Sequence, residues 1–190
     1  DDYVTFADSA GFTAGSGRTA FSAVCWARFT TINLADNTVL LSQLDGADNS
    51  FFMAMYDIGA SHHGLQVRIA SSGADSANYA QSNATESSAW FDSLNTWYMA
   101  SFSYDGNAAA AVRVLLYRNG ALCVASAITG TIPTTMRDSA LALSIGNLPI
   151  ALSGIYAHDG NIEECAIYTC TLSGADMALI YNSGAPASLT

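Results

Sequence analysis

WYMASFSYDGNAAAAVRVLLYRNGALCVA, residues 97–125, is the stretch of sequence that decides the fold. Between Tyr98 and Tyr104, apolar or aromatic side chains at even positions alternate with serines at two of the odd ones. This period-two pattern is typical of an antiparallel strand with one buried and one solvated face. Two apolar runs follow, at 111–118 and 121–125, and Asn119-Gly120 joins them. Both central residues of a type I′ turn need a positive φ, so Asn-Gly predicts a β-hairpin here.

Outward from this hairpin, the chain shows further short apolar runs separated by turn residues. Short strands at such spacing, with no room for helical crossovers, favour a β-sandwich or barrel. The Ser/Ala/Asn-rich segment 71–88 is predicted to be a long loop or an excursion at a sheet edge. The other predicted strands are 3–6, 21–29, 38–43, 51–56, 65–70, 141–145 and 162–168.

A single helix is predicted near the C-terminus. Ser173 can cap it, and Asp176 stands at the third helical position, as in a capping box. Met177, Ile180 and Tyr181 follow at helical spacing and form an apolar stripe.

Composition narrows the class of protein. The 190 residues are 51% hydrophobic and 12% charged, which excludes a disordered chain and suits one domain spanning residues 1–190. No apolar run approaches the roughly 18 residues of a membrane-spanning helix, so no membrane insertion is expected. The net charge of −10 would repel a polyanion, so nucleic acid is not an expected partner.

Seven segments follow one another along the chain: DDYV at 1–4, FSAVCWAR at 21–28, WYMASFSYDG at 97–106, LYRNG at 116–120, LSIG at 143–146, GNIEECAIY at 160–168 and the helix at 172–182. In this order they resemble motifs of laminin-G-like domains of the concanavalin A-like lectin/glucanase type. The resemblance implies an all-β fold, a two-sheet antiparallel jelly-roll sandwich with one short C-terminal helix. Two positions depart from the family pattern, since Glu163 replaces the usual Asp of the last strand and Ala166 replaces its Arg.

Catalytic patterns are weak. A retaining glycosidase needs two carboxylates about 5–5.5 Å apart, which on one strand means acidic residues two or four positions apart. The three glutamates are Glu86, Glu163 and Glu164, and none has an acidic residue two positions away. No G-x-S-x-G motif is present, and His62-His63 are interpreted as turn residues facing solvent. The chain is therefore predicted not to be an enzyme.

Calcium is the cofactor that the sequence favours most. Asp45, Asp48 and Asn49 place three oxygen-bearing side chains in one glycine-containing loop, and calcium binds such oxygens. An ordinary Asx-turn loop is the alternative. The family resemblance further implies a calcium site at the sandwich rim, with Asp2 and Glu163 as its acidic ligands.

Aromatic residues provide the candidate ligand contacts. Trp26 and Trp97 fall within strand motifs and are interpreted as core residues. Trp90 and Phe91 follow the Ser-rich segment, and this pair either forms a solvent-facing recognition patch or covers the sandwich edge.

The four cysteines, Cys25, Cys123, Cys165 and Cys170, lack the paired spacing of a zinc ribbon or redox motif. The sequence leaves open whether they are buried free thiols or form disulfides, for which three connectivities exist.

Taken together, these patterns predict a non-catalytic structural or adhesion module, most simply a decoration or appendage domain of a virion or cell surface. Its expected location is extracellular or on a virion surface, and its expected partners are copies of itself or a larger assembly. The alternative is a calcium-dependent, lectin-like module that binds a glycan.

Overall fold

The protein is described by a computed structural model that covers residues 4–7, 17–31, 38–44, 50–59, 62–72, 78–82, 85–123, 127–148 and 157–184. Within these ranges the chain forms twelve β-strands and one α-helix. The elements are β1 (Val4–Phe6), β2 (Ala20–Phe29), β3 (Thr38–Gln43), β4 (Phe51–Gly59), β5 (His62–Ile69), β6 (Tyr79–Gln81), β7 (Trp97–Asp105), β8 (Val114–Arg118), β9 (Ala121–Leu122), β10 (Ala127–Thr129), β11 (Leu143–Ile145), β12 (Gly160–Tyr168) and α1 (Gly174–Tyr181).

The strands form two antiparallel sheets that pack face to face. The large sheet has seven strands in the order β1-β11-β3-β4-β5-β6-β10, and the small sheet has five in the order β12-β2-β7-β8-β9. Every described pairing is antiparallel. This architecture confirms the predicted all-β sandwich with one short C-terminal helix.

The core lies between the sheets and draws on both. Phe21 and Phe102 extend from β2 and β7 of the small sheet, and Phe51 extends from β4 of the large sheet. Their ring centroids lie 5.0 to 6.3 Å apart. Tilted aromatic contacts at such distances stabilise the packing of the two sheets by more than their buried area alone would.

The outer face of the small sheet is also covered, which differs from the predicted half-buried strand at 98–104. Met99, Ser101 and Ser103 are all buried, although they point away from the core. The segment that leaves β12 crosses this face: Ser22 Oγ donates to the carbonyl of Cys170 and accepts from the amide of Leu172. Serines therefore pack on this outer face without contact with water.

Helix α1 lies on that outer face, and its predicted start is confirmed. Ser173 Oγ accepts from the amide of Asp176, and the Asp176 carboxylate accepts from the amide of Ser173, which completes a capping box. Met177 is fully buried against the sheet, and Tyr181 stacks on Trp26 with ring centroids 5.6 Å apart. The described residues contain no helix with the length and apolar character to cross a membrane.

The predicted hairpin turn between β8 and β9 is confirmed. Asn119 and Gly120 both have positive φ, at 52° and 75°. The Asn119 side chain also accepts from the amide of Met99, so the turn is tied to the neighbouring strand β7.

Two segments predicted as loops contain strand residues. Segment 71–88 is not a continuous loop, because it contains strand β6 and the start of a short 3-10 helix at Ser87–Ala89; β6 pairs with β5 and with the end strand β10, which agrees with the predicted excursion at a sheet edge. His62 and His63 are not turn residues, because β5 already begins at His62 and pairs with β4 there. His63 is only 6% exposed, since its position in the sheet places the imidazole inside.

Candidate functional site

Strand register brings three side chains from distant parts of the chain into one row on the outer face of the small sheet. Asn161 of β12 pairs with Arg28 of β2, and Arg28 pairs with Trp97 of β7. The Arg28 guanidinium donates to the Asn161 side-chain oxygen from Nη2 at 2.6 Å and from Nε at 3.2 Å. Its Cζ lies 5.5 Å from the Trp97 ring centroid, within the range of a cation–π contact.

The next row along the same face adds a second tryptophan and a carboxylate. Glu163 pairs with Trp26, two residues on from the Asn161–Arg28 pair, so side-chain alternation keeps both rows on one face. Trp26 is only 4% exposed because Tyr181 of the helix stacks on it. Glu163 itself is exposed.

These two rows border a shallow cleft of about 120 Å³ lined by Trp26, Trp97, Glu163 and Gly184. We call it the small-sheet cleft. Its position follows from the helix: Met177, one turn before Tyr181, seals the sheet beneath the helix, whereas Trp97 remains only half-buried. The cleft therefore opens at the C-terminal end of α1.

The chemistry of the small-sheet cleft suits a polyhydroxylated ligand. The half-buried indole of Trp97 offers an apolar face, and the Glu163 carboxylate accepts hydrogen bonds. At the Trp97 edge, Arg28 and Asn161 supply N–H donors, and the hydrogen bonds between them hold both groups in place. An apolar face with a few fixed polar groups is the usual design of a small-molecule site.

The predicted aromatic pair, Trp90 and Phe91, is divided by the structure. Phe91 is fully buried and packs on Tyr98, with ring centroids 5.2 Å apart, so it belongs to the core and offers no surface to a ligand. Trp90 is half-buried and stacks face to face on His62, with centroids 3.4 Å apart. Trp90 alone therefore remains a candidate for ligand contact.

The segment that carries Trp90 is held by polar contacts on both sides. Asp92 accepts from the backbone amide of His63 and contacts His62 Nδ1 at 2.6 Å. Arg118 donates to the carbonyl oxygens of Ser87 and Trp90. These contacts fix the position of the backbone that carries Trp90.

The predicted calcium ligands fall mostly outside the described residues. Asp2, Asp45, Asp48 and Asn49 all lie there. Glu163 is described, and it lies in the small-sheet cleft beside Trp26 and Trp97. Over the described ranges, no three His, Cys, Asp or Glu side chains converge to hold a metal ion. A calcium site on Glu163 would need oxygen ligands from elsewhere in the chain, so it stays a prediction.

A larger cleft of about 420 Å³ lies at the sandwich rim, lined by Gly17, Ser71 and residues 133–138. It is shallow and widely open, and its lining includes no aromatic side chain. For these reasons it fits a specific ligand less well than the small-sheet cleft.

Sequence reasoning missed Trp97 as a site residue, together with Arg28 and Asn161. The strand motif that Trp97 begins predicts a core residue, whereas its side chain points to the outer face of the small sheet. The register of β2 with β7 and β12 puts the three together across up to 133 residues of chain. The sequence holds one local signal for this site: Trp26 and Arg28 are two residues apart, so their side chains lie on the same face of the strand.

Comparison with known proteins agrees with this fold. A family model described as the Concanavalin A-like lectin/glucanases superfamily matches residues 1–178. No functionally curated protein matches the sequence.

Several solved structures share the architecture at low sequence identity. A heptameric SAP-like pentraxin from Limulus polyphemus is 15% identical, with a TM-score of 0.58 over 94% of this chain and 81% of that one. Domain 4 of AbnA, a GH43 extracellular arabinanase from Geobacillus stearothermophilus, is also 15% identical, with a TM-score of 0.57 over 88% and 68%. The binding domain of botulinum neurotoxin DC is 11% identical, with a TM-score of 0.59 over 95% and 39%. At these identities the likeness establishes the fold alone.

Proposed function

This chain belongs to the Concanavalin A-like lectin/glucanases superfamily, and we propose that it is a non-catalytic module that binds carbohydrate in the small-sheet cleft. The observation that carries the proposal is the half-buried Trp97 beside an exposed carboxylate, Glu163, and a fixed guanidinium–amide pair. Sugar rings present C–H faces that pack on indoles and hydroxyls that bond to such polar groups.

The cleft supports binding rather than hydrolysis. Glycosidases use a pair of carboxyl groups, one as acid and the other as base or nucleophile. Of the described residues that line the small-sheet cleft, Glu163 is the one carboxylate. A single carboxylate in the cleft agrees with the sequence, in which none of the three glutamates has an acidic residue two positions away.

One structural relative adds support for the ligand class. The arabinanase domain that shares this fold was solved in complex with arabinotriose. The volume of the small-sheet cleft, about 120 Å³, is below that of most small-molecule pockets, so we expect the cleft to contact one unit of a short oligosaccharide rather than to enclose several.

Calcium enters this proposal through the residues that the sequence identified. Two separate sets of residues are candidates, the loop residues Asp45, Asp48 and Asn49, and the rim pair Asp2 and Glu163; each would supply the carboxylate or amide oxygens that calcium prefers. If calcium is held by Asp2 and Glu163, it would restrict the Glu163 carboxylate that borders the small-sheet cleft.

The proposal is tested with a glycan array on the purified protein, run once with calcium and once with a chelator. The best ligand is then titrated by calorimetry into the wild type, Trp97→Ala and Trp90→Ala. Because a buried tryptophan contact is often a dominant contribution to affinity, Trp97→Ala should weaken binding at least about tenfold. Trp90→Ala should bind like the wild type.

Other results would change the assignment. A blank array with folded protein in both arms would contradict carbohydrate binding. Loss of binding in Trp90→Ala, with Trp97→Ala unaffected, would move the site to the stacked His62–Trp90 surface. Signal that disappears only with chelator would assign a calcium role to the predicted ligands.

A second candidate function, assembly into a surface structure, is favoured by one observation. Val4 and Phe6 of β1 are 53% and 51% exposed, although they pair with Ile145 and Leu143, which pack against the core. β1 is the end strand of the described large sheet, and exposed apolar edge strands are sites of strand pairing between molecules. We propose a second copy of the chain as the partner, within an extracellular or virion-surface assembly.

A further inference from the structure

Two cysteines from opposite ends of the chain meet inside the small sheet. Cys25 lies on β2 and is fully buried in the core, and Cys165 lies on β12 and packs partly buried against the same core. Their sulfur atoms are 3.4 Å apart, although 140 residues separate them in the sequence. A shift of about 1.4 Å would bring the sulfurs to disulfide bonding distance.

A β-bulge places the two side chains opposite each other. The register of β12 against β2 shifts between Glu163 and Ala166, so Glu164 and Cys165 both lie opposite Cys25. Glu164 has a φ of 48°, in the left-handed region, as bulges often require. Directly opposed residues in antiparallel strands have Cα atoms about 4.5–5.5 Å apart, which lies within the range that disulfides span.

We propose that Cys25 and Cys165 form an intrachain disulfide by exchange with a disulfide oxidant, either a low-molecular-weight disulfide or the disulfide of a thiol oxidoreductase. The Cys165 thiolate attacks one sulfur of the oxidant, whose S–S bond breaks and releases the first thiolate. Cys25 then loses its proton and attacks Cys165 Sγ, which expels the second thiolate. Two protein thiols are oxidised, one disulfide is reduced to two thiols, and the protons from the protein thiols pass to the released thiolates.

The order of attack follows from exposure. Cys165 is partly exposed on β12, the end strand of the described small sheet, whereas Cys25 is fully buried, so Cys165 is the more accessible of the two to an oxidant. The hydrogen bond between the two thiols and the complete burial of Cys25 raise the pKa of Cys25, which keeps that thiol protonated until the mixed disulfide is next to it.

The other two cysteines are placed too far away to compete. Cys123 follows β9, three strands from β2, which corresponds to about 14 Å across the sheet. Cys170 lies beside Ser22, three residues before Cys25, which corresponds to about 10 Å along the strand. Disulfides do not form across such distances without movement of the backbone.

The test uses the protein with Cys170→Ala, so that one cysteine remains C-terminal to Arg137. The folded, reduced protein is treated with oxidised glutathione, alkylated, and digested with trypsin without reduction. Trypsin cuts only after the six arginines, because the chain has no lysine. Peptide 19–28 then carries Cys25 alone, and peptide 138–190 carries Cys165. The expected product is these two peptides joined, found by mass spectrometry, with Cys123 alkylated.

Stability provides the second readout, with Cys165→Ala as the matched control. The oxidised protein should melt roughly 5 to 15 °C above the reduced one, because the crosslink restricts the unfolded chain. Cys165→Ala should show no linked peptide and no redox-dependent shift. The proposal is overturned if the folded protein gives no 19–28/138–190 product, or if Cys25 is found linked to Cys123.

Discussion

His158 is a half-buried titratable side chain two residues before β12. Its ring packs edge-on against Phe29, with centroids 5.0 Å apart, and its Nε2 lies 3.3 Å from the carbonyl of Arg28. Burial lowers the pKa of His158 below 6.5, and this effect outweighs the opposing contributions of the backbone contacts and of Asp159. The neighbouring Asp159 carboxylate accepts from Thr30 and Thr31, so its own pKa is lowered and it stays charged near neutral pH.

Because the folded protein holds His158 neutral, stability should fall as the solution becomes acidic. Above about pH 6.5 the side chain is neutral in both states, and its contribution is fully present. As the pH falls from 6.5 through the lowered pKa, the unfolded chain takes up a proton that the folded chain excludes. We expect the free energy of unfolding in urea to fall between pH 7.5 and 5, and to fall less in His158→Gln.

The free energies of unfolding of the wild type and His158→Gln at pH 8 serve as the baseline, because His158 is neutral in both the folded and the unfolded protein at that pH. The two proteins differ only at position 158, so the difference between the two pH profiles isolates His158. Parallel profiles for wild type and His158→Gln would contradict the burial argument.

At the scale of the elements, Gly120 of the β8–β9 turn is required both by the backbone of the turn and by the packing of helix α1. Gly120 has a φ of 75°, which side-chain-bearing residues rarely adopt. A Cβ at this position would also lie 2.9 Å from Ala178 Cα and 2.9 Å from Tyr181 Cβ, both in helix α1. The turn therefore needs glycine for its own backbone and for the close approach of the helix.

Gly120→Ala should destabilise the protein by about 1–3 kcal/mol, because the new methyl group both strains the turn and displaces the helix. The matched control is Gly174→Ala, where a Cβ would meet only Tyr117 Cε1 at an ordinary 3.7 Å. That change lies in the first turn of α1 and should leave stability unchanged or raise it by up to about 1 kcal/mol. Chemical denaturation of both variants measures the difference, and equal effects would contradict this account of the turn.

At the scale of the whole molecule, net charge and exposed apolar surface have opposite effects on self-association. The net charge of −10 disfavours contact between copies, whereas the exposed Val4 and Phe6 on the end strand of the large sheet favour it. Repulsion between charged surfaces is screened by salt, but burial of apolar side chains is not.

Self-association should therefore increase with ionic strength and depend on β1. Light scattering coupled to gel filtration should give a larger mass for the wild type at high salt than at low salt. Val4→Ser/Phe6→Ser should remain monomeric in both, and Leu94→Ser, which changes a residue that is 48% exposed elsewhere, should behave like the wild type. A wild type that stays monomeric at every salt concentration would rule out β1 as a docking edge.

The sequence by itself determined the features that depend on neighbouring residues. Alternation predicted the strands, Asn119-Gly120 predicted the hairpin turn, and Ser173 with Asp176 predicted the start of the helix. Each of these signals is local, because a pleated strand, a turn with positive φ and a helix cap are each specified within a few residues. The strand motifs in their order also identified the superfamily.

Only the tertiary structure decided which face of each strand is covered and which distant residues meet. The small-sheet cleft depends on the register of β12, β2 and β7, and the contact of Cys25 with Cys165 depends on a bulge in that register. Alternation predicts that a strand has two faces, but it does not reveal that a helix covers part of the outer one. For this reason the sequence predicts Trp97 as a core residue and leaves open whether Phe91 faces a ligand, since the pairing of strands more than a hundred residues apart leaves no local pattern in the sequence.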